Sequence, residues 1–178
     1  MTTCVFITGT NCAGKTTLAK ELIKRFGGYG SVSRELTICK DSRYVFVGPY
    51  ADEKKYGGVD ALNQTKIIEP ILRKAFSEGA EYGFCEGQYM QTFGLNLTNA
   101  MFAAERHLVV CLVAPLEVIQ RRLKERSGTD INKSIAAKQQ TLLRSAKKWA
   151  QIGVPTIIIN TAENSTEQIA DKIIKMIE

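Results

Sequence analysis

The chain of 178 residues predicts one α/β domain, a mainly parallel sheet with helices on both faces, and three observations carry that expectation. Apolar runs without alternation, "CVFIT" (4–8), "HLVVCLVA" (107–114) and "PTIIIN" (155–160), read as strands buried on both faces. Segments with helical apolar spacing lie between the strands, the order that crossover connections produce. No linker, repeat or low-complexity stretch divides the chain, and its length suits a single domain.

The first strand ends at Gly9, and residues 15–26 follow with Leu18, Leu22 and Phe26 at helical spacing until Gly27 and Gly28 stop them. "YGSVSRELTIC" (29–39) and "RYVFVG" (43–48) read as two strands joined through "KDS". Asp60 to Ser77 reads as a helix, which Pro70 must kink or begin because it lacks an N–H. "YGFCEG" (82–87) is the next strand, and a helix is expected near 91–105. Pro115 opens a helix through Val118, Ile119 and Leu123; residues 127–131 break it, and 132–150 resume with Ile135, Leu142, Ala146 and Trp149 on one face. Ser165 and Gln168 form a capping box for a last helix through Ile169, Ile173 and Ile177.

Apolar content of 44% and charged content of 24% indicate a folded chain rather than a disordered one. No apolar run approaches the ~20 residues of a membrane span, and Met1 to Phe6 lacks the regions of a signal peptide, so a cytoplasmic location and no membrane partner are expected. The five cysteines are scattered and never spaced C-x-x-C, and His107 is the only histidine, which argues against a disulfide framework or a zinc site. The net charge of +6 is concentrated: residues 119–148 hold nine basic residues against Glu125 and Asp130, a net of +7. An anionic ligand is expected there.

Gly9-Thr10-Asn11-Cys12-Ala13-Gly14-Lys15-Thr16 fits G-x-x-x-x-G-K-[ST] at every fixed position, between a strand and a helix. Backbone amides of such a loop and of the helix start point at phosphate oxygens, which places Gly9, Asn11, Cys12, Ala13, Gly14, Lys15, Thr16 and Thr17 around a nucleotide. Lys15 adds a mobile positive charge, and the Thr16 hydroxyl suits Mg²⁺. ATP with Mg²⁺ is the expected ligand.

With this loop the chain resembles the P-loop kinases of small molecules, nucleotides and polynucleotides, over essentially its whole length in element order. The resemblance implies a second strand ending in an acidic residue that acts on Mg²⁺ or on the attacking hydroxyl, and Glu86 of "GFCEG" stands there. It also implies a lid whose arginines close over the transferring phosphoryl group. "QRRLKERSGTD" (120–130), in a lid of about 120–133, supplies Arg122 and Arg126, four apart and so on one helix face. Planar guanidinium donors suit charge spread over phosphoryl oxygens. The loop Asn160-Thr161-Ala162 is where such kinases hold adenine. A GTPase would carry a base-reading N-K-x-D loop, which this chain lacks.

In that family the acceptor region precedes the acidic strand, here about 31–81. "FVGPYADEKKYGGVDALNQ" (46–64) resembles phage-encoded kinases that phosphorylate the hydroxymethyl group of 5-hydroxymethyluracil in DNA. Gly48, Tyr50, Gly57, Gly58 and Asp60 match their pattern of a strand ending in Gly, then Tyr, then Gly-Gly-x-Asp before a helix. This resemblance implies a DNA partner carrying a modified pyrimidine, and the host cytoplasm as the location. It would have Tyr50 or Tyr56 stack on an extruded base, Lys54 and Lys55 hold phosphates, the glycines pass close to base or sugar, and Asp60 accept a proton or hydrogen bond from the acceptor hydroxyl. Asp60 is also placed to cap the following helix. Glu35 is a second possible base, since polynucleotide kinases place an acidic residue about twenty residues beyond the loop lysine. Two alternatives stand beside this reading: a deoxynucleoside monophosphate kinase acting on a free nucleotide, and an ATP- and nucleic-acid-binding module without turnover.

Overall fold

A computed structural model describes residues 1–50, 57–62, 65–88, 99–128 and 133–178. In chain order its elements are β1 (Thr3–Gly9), α1 (Lys15–Arg25), β2 (Tyr29–Val32), β3 (Leu36–Cys39), β4 (Tyr44–Val47), α2 (Ile68–Ser77), β5 (Tyr82–Glu86), β6 (Arg106–Val113), α3 (Leu116–Ser127), α4 (Lys133–Gln151), β7 (Thr156–Asn160) and α5 (Thr166–Ile177). Among the described residues the strands form one seven-stranded sheet in the order β2-β3-β4-β5-β1-β6-β7. Neighbours from β4 to β7 run parallel, whereas β2 and β3 extend the sheet antiparallel.

Alternation along the central strands sends their side chains to two cores. Val5 and Ile7 of β1 and Val110 and Leu112 of β6 meet Leu18, Leu22 and Ile23 of α1 and Ile169, Ile173 and Ile177 of α5. Cys4, Phe6, Val109 and Cys111 face the other way, onto Ile68 and Leu72 of α2 and Leu142, Ala146 and Trp149 of α4. All these residues are buried, and each large apolar side chain taken from water contributes ~1.5–3 kcal/mol. Burial pushes the Cys4, Cys85 and Cys111 thiols up in pKa, as expected of cysteines acting as small hydrophobes. Among the described residues no helix is long and apolar enough to cross a membrane.

Three expected elements differ. The run 29–39 is two strands, because the Ser33 hydroxyl accepts from Leu36 N–H at 3.0 Å and donates to Leu36 carbonyl at 3.0 Å, turning the chain without a glycine or proline. The helix expected from Asp60 is two 3-10 turns, Val59–Leu62 and Thr65–Ile67, before α2 begins at Ile68. Pro70 then sits in the first turn of α2, where its missing N–H has no partner to lose. Of the helix expected near 91–105, residues 91–98 lie outside the described residues, 99–101 are helical, and β6 begins at Arg106.

Candidate active site

The carboxyl edge of a parallel sheet is where this architecture holds ligands. β1 arrives there with Ile7 paired to Glu86 of β5 and Gly9 paired to Leu112 of β6. The loop that follows bends through left-handed backbone at Cys12 (φ 59°) and Gly14 (φ 93°). Gly14 caps α1 without a side-chain hydrogen bond, and the first turn of α1 carries no acid, so its N–H groups are left to an anion. Lys15 is 9% exposed, and its Nζ donates to the Thr10 carbonyl at 3.1 Å. Burial pulls its pKa down, against the opposing charges of Glu86 and Asp60. A cleft of about 360 Å³ opens beside it, lined by Cys12, Lys15, Thr16, Arg122, Arg126 and Thr161. Asn164, Thr166 and Ile169 belong to the same lining. Sequence reasoning missed those three, although the capping box at Ser165 had already located the start of α5 beside the loop after β7.

Glu86 ends β5 and is 2% exposed. Tyr50 Oη donates to its Oε2 at 3.0 Å, and the Thr16 hydroxyl donates to its Oε1 at 3.5 Å. Burial raises the Glu86 pKa to about 7, even though the Lys15 charge and the Tyr50 and Thr16 hydrogen bonds pull it down; Asp60 pushes it up. The folded-state value lies above the ordinary 4.5, so folding favours the protonated carboxyl. As pH rises from about 4.5 to about 7, the nucleotide-free protein should therefore lose stability that Glu86→Gln retains. The gap between the two should widen by on the order of 3 kcal/mol across that window and stay flat above it. Urea melts at pH 5 and pH 8 check this, and a gap independent of pH would contradict a buried, ionising Glu86.

The structure corrects the acceptor residues in kind. Tyr50 is 1% exposed and packs edge-on against Phe46, so its ring offers no face to a base; its hydroxyl instead orients Glu86. Gly57 and Gly58 are buried, and the close approach they permit is to protein. A Cβ on Gly58 (φ 72°) would run into the Glu86 carbonyl, would lie 2.5 Å from Glu86 Oε2 and 2.7 Å from Tyr50 Oη. Asp60 does not cap α2, whose N-cap is Ile67; its two carboxylate oxygens accept from Gln88 N–H at 2.8 and 2.7 Å. The Gly-Gly-x-Asp element is thus fastened to the end of β5. Glu35 is exposed in the β2–β3 turn, where its carbonyl accepts from Gly48 N–H at 2.6 Å, and it is not part of the cleft lining. Lys54, Lys55 and Tyr56 lie outside the described residues.

α3 brings Arg122 and Arg126 to the cleft together. Arg122 donates to the Cys12 carbonyl at 3.3 Å, to Thr161 Oγ1 at 2.9 Å and to the Thr161 carbonyl at 2.9 Å, joining the phosphate loop to the loop after β7. Arg126 reaches Cys12 Sγ at 4.0 Å and lies close enough to Lys15 for its charge to depress the lysine.

No protein-family model and no curated protein matches the chain in sequence. Solved structures do match along its length. The YorR protein of Bacillus subtilis, solved with phosphorylated GDP, is 18% identical over 98% of this chain and 95% of that one, with a TM-score of 0.57. An unliganded sugar kinase from Janibacter sp. HTCC2649 is 16% identical over 99% and 95%, with a TM-score of 0.56. Deoxyadenosine kinase from M. mycoides, with bound dCTP, is 15% identical over 97% and 98%, with a TM-score of 0.51. At these identities the likeness is one of fold, and the fold of this chain is that of the P-loop kinases.

Proposed function

We propose that the protein is an ATP-dependent phosphotransferase whose acceptor is the hydroxymethyl group of 5-hydroxymethyluracil in DNA. The observation that carries this reading is the packing of Gly58 and Asp60 onto the end of β5, directly beside Glu86 and one side chain from the phosphate loop. The acceptor element, read from the sequence, and the nucleotide element thereby converge on one carboxylate. Kinases of nucleosides and sugars among the structural neighbours support phosphoryl transfer to a hydroxyl on this fold.

In this proposal the amides of the loop and Lys15 hold the ATP phosphates, and Arg122 and Arg126 offset charge on the transferring group. Thr16 and Glu86 would hold Mg²⁺, which supplies charge neutralisation on the phosphates. Their oxygens lie 3.5 Å apart at the mouth of the loop, and both are of the hard oxygen type that Mg²⁺ takes. The acceptor oxygen forms a bond to the γ-phosphorus, the bond to the bridging oxygen breaks with its electrons leaving on ADP, and Asp60 takes the acceptor proton.

Labelled ATP and purified protein test this. Duplex DNA containing 5-hydroxymethyluracil should gain one phosphate per reactive base and thymine DNA none, since a methyl group offers no oxygen. Asp60→Asn should lower that transfer by about 100-fold while leaving ATP binding intact. Efficient transfer to a free deoxynucleoside monophosphate with none to modified DNA would establish the monophosphate-kinase alternative. ATP binding with no transfer to any hydroxyl would establish the non-catalytic one.

A further inference from the structure

We infer that Thr37 and Tyr50 are positioning residues for Glu86, so that the grip of the nucleotide site on its metal is set from the acceptor side. Thr37, in β3, is a fully buried polar side chain. Its hydroxyl accepts from Tyr50 N–H at 2.9 Å and donates to the Gly48 carbonyl at 3.0 Å. One hydroxyl thus clasps both ends of the turn through Gly48, Pro49 and Tyr50 that follows β4. A valine would fill the same space, but it would leave the buried Tyr50 N–H without that acceptor.

The clasp aims the phenol. Tyr50 stands edge-on to Phe46, with ring centroids 5.7 Å apart, and its Oη donates to Glu86 Oε2 at 3.0 Å. Burial and the Glu86 charge push the phenol well above its ordinary pKa, so it keeps its proton and stays a donor. Gly58 leaves no room beside Oε2, since a Cβ there would come within 2.5 Å of it. Such fixing matters because the last torsion of a glutamate is broad and has no sharp rotamer of its own. With Oε2 taken, Oε1 is the oxygen left to face the Thr16 hydroxyl. Thr37, Tyr50 and Gly58 therefore decide which carboxylate oxygen meets the nucleotide loop. The inference rests on the proposed reading of Glu86 as a Mg²⁺ ligand, and it needs no particular acceptor.

Anisotropy of a fluorescent ATP analogue, titrated in Mg²⁺ and again in EDTA, tests this without any turnover. The ratio of the two Kd values measures what the metal adds to nucleotide binding. Tyr50→Phe should cut that ratio by about tenfold, the usual scale for a residue that orients a metal ligand, and leave Kd in EDTA within about twofold. Thr37→Val should cut it by about threefold, and Thr37→Ser, which keeps the hydroxyl, should restore it. Glu86→Gln should remove most of the ratio, and adding Tyr50→Phe to it should change nothing more. Thermal melts confirm that each variant folds; if Tyr50→Phe does not, the two Thr37 variants decide the matter. An unchanged ratio in Tyr50→Phe, or an equal loss with and without Glu86, would overturn the inference. So would a Kd in EDTA that weakens as much as the Kd in Mg²⁺, since that marks general damage. If Glu86→Gln keeps the full ratio, the reading of Glu86 as a metal ligand falls and the inference falls with it. If Glu86→Gln loses the ratio while Tyr50→Phe and Thr37→Val keep it, that reading stands and the inference alone falls.

Discussion

Purified Lys15→Ala protein should transfer phosphate at least ~100-fold more slowly than the parent, and Thr16→Ala should fall by a similar factor. Lys15 is nearly buried, with its ammonium depressed in pKa by that burial and held to a loop carbonyl rather than to a surface carboxylate. A cation kept dry at such cost serves something other than the core, because an apolar side chain there would avoid the desolvation penalty. Its removal should therefore spare the fold: Lys15→Met, closer in volume, should melt within about 1 kcal/mol of the parent at pH 6, where Glu86 can take up a proton instead of remaining an unpaired anion. Thr16 differs in kind, since its hydroxyl is half-exposed and reaches only Glu86 in the described structure. Initial rates with any accepted hydroxyl, beside thermal melts, check both. Either alanine variant turning over at the parent rate would remove the loop from the chemistry.

Gly58→Ala should combine a large loss of stability with a large loss of rate. A methyl group at Gly58 would collide with the Glu86 carbonyl and come within 2.5 Å of its carboxylate and 2.7 Å of Tyr50 Oη, while φ of 72° adds left-handed strain. The neighbours are a strand end and a buried phenol, which cannot move aside as a surface side chain can. Strain and overpacking together should cost about 2–5 kcal/mol. Displacing Glu86 should lower kcat by on the order of 100-fold with ATP affinity little changed, because the nucleotide cleft is lined from other elements. Gly153→Ala is the comparison: its φ is 83°, and a Cβ there meets nothing within 4 Å. It should lose only about 1–2 kcal/mol and no activity. Equal destabilisation of the two variants would mean that backbone strain alone matters at Gly58, and that the contact with Glu86 does not.

How far the sequence could be read depended on the range of the physics involved. The phosphate loop was legible because its fixed positions answer to backbone geometry within eight residues. The parallel strands were legible because burial on both faces leaves continuous apolar runs. The β2–β3 turn was not, since Ser33 turns the chain through its own hydroxyl where a glycine or proline would have signalled it. Tyr50 was misread because a tyrosine in a polar-looking loop gives no sign of burial; only the packing of Gly58 and the carboxylate across from it shows why the phenol is there. The capping role considered for Asp60 fails because its carboxylate accepts from Gln88 N–H, 28 positions away, and no local pattern encodes that pairing.

The strand order divides the labour of the site. Everything that lines the nucleotide cleft comes from β1 and the elements on its β6–β7 side, or from helices α1, α3 and α5 and the loops before them. Tyr50, Gly58 and Asp60 follow β4 and lean on β5, on the opposite side of β1. The two halves meet where the Thr16 hydroxyl donates to Glu86, with the Lys15 charge beside Glu86 and Asp60. Under the proposed reading, a change of acceptor would be written into the segment that carries Tyr50, Gly58 and Asp60, apart from the residues that line the cleft. If the proposal holds, the architecture is a fixed handle with an interchangeable jaw, and exchanging that segment alone would retarget it.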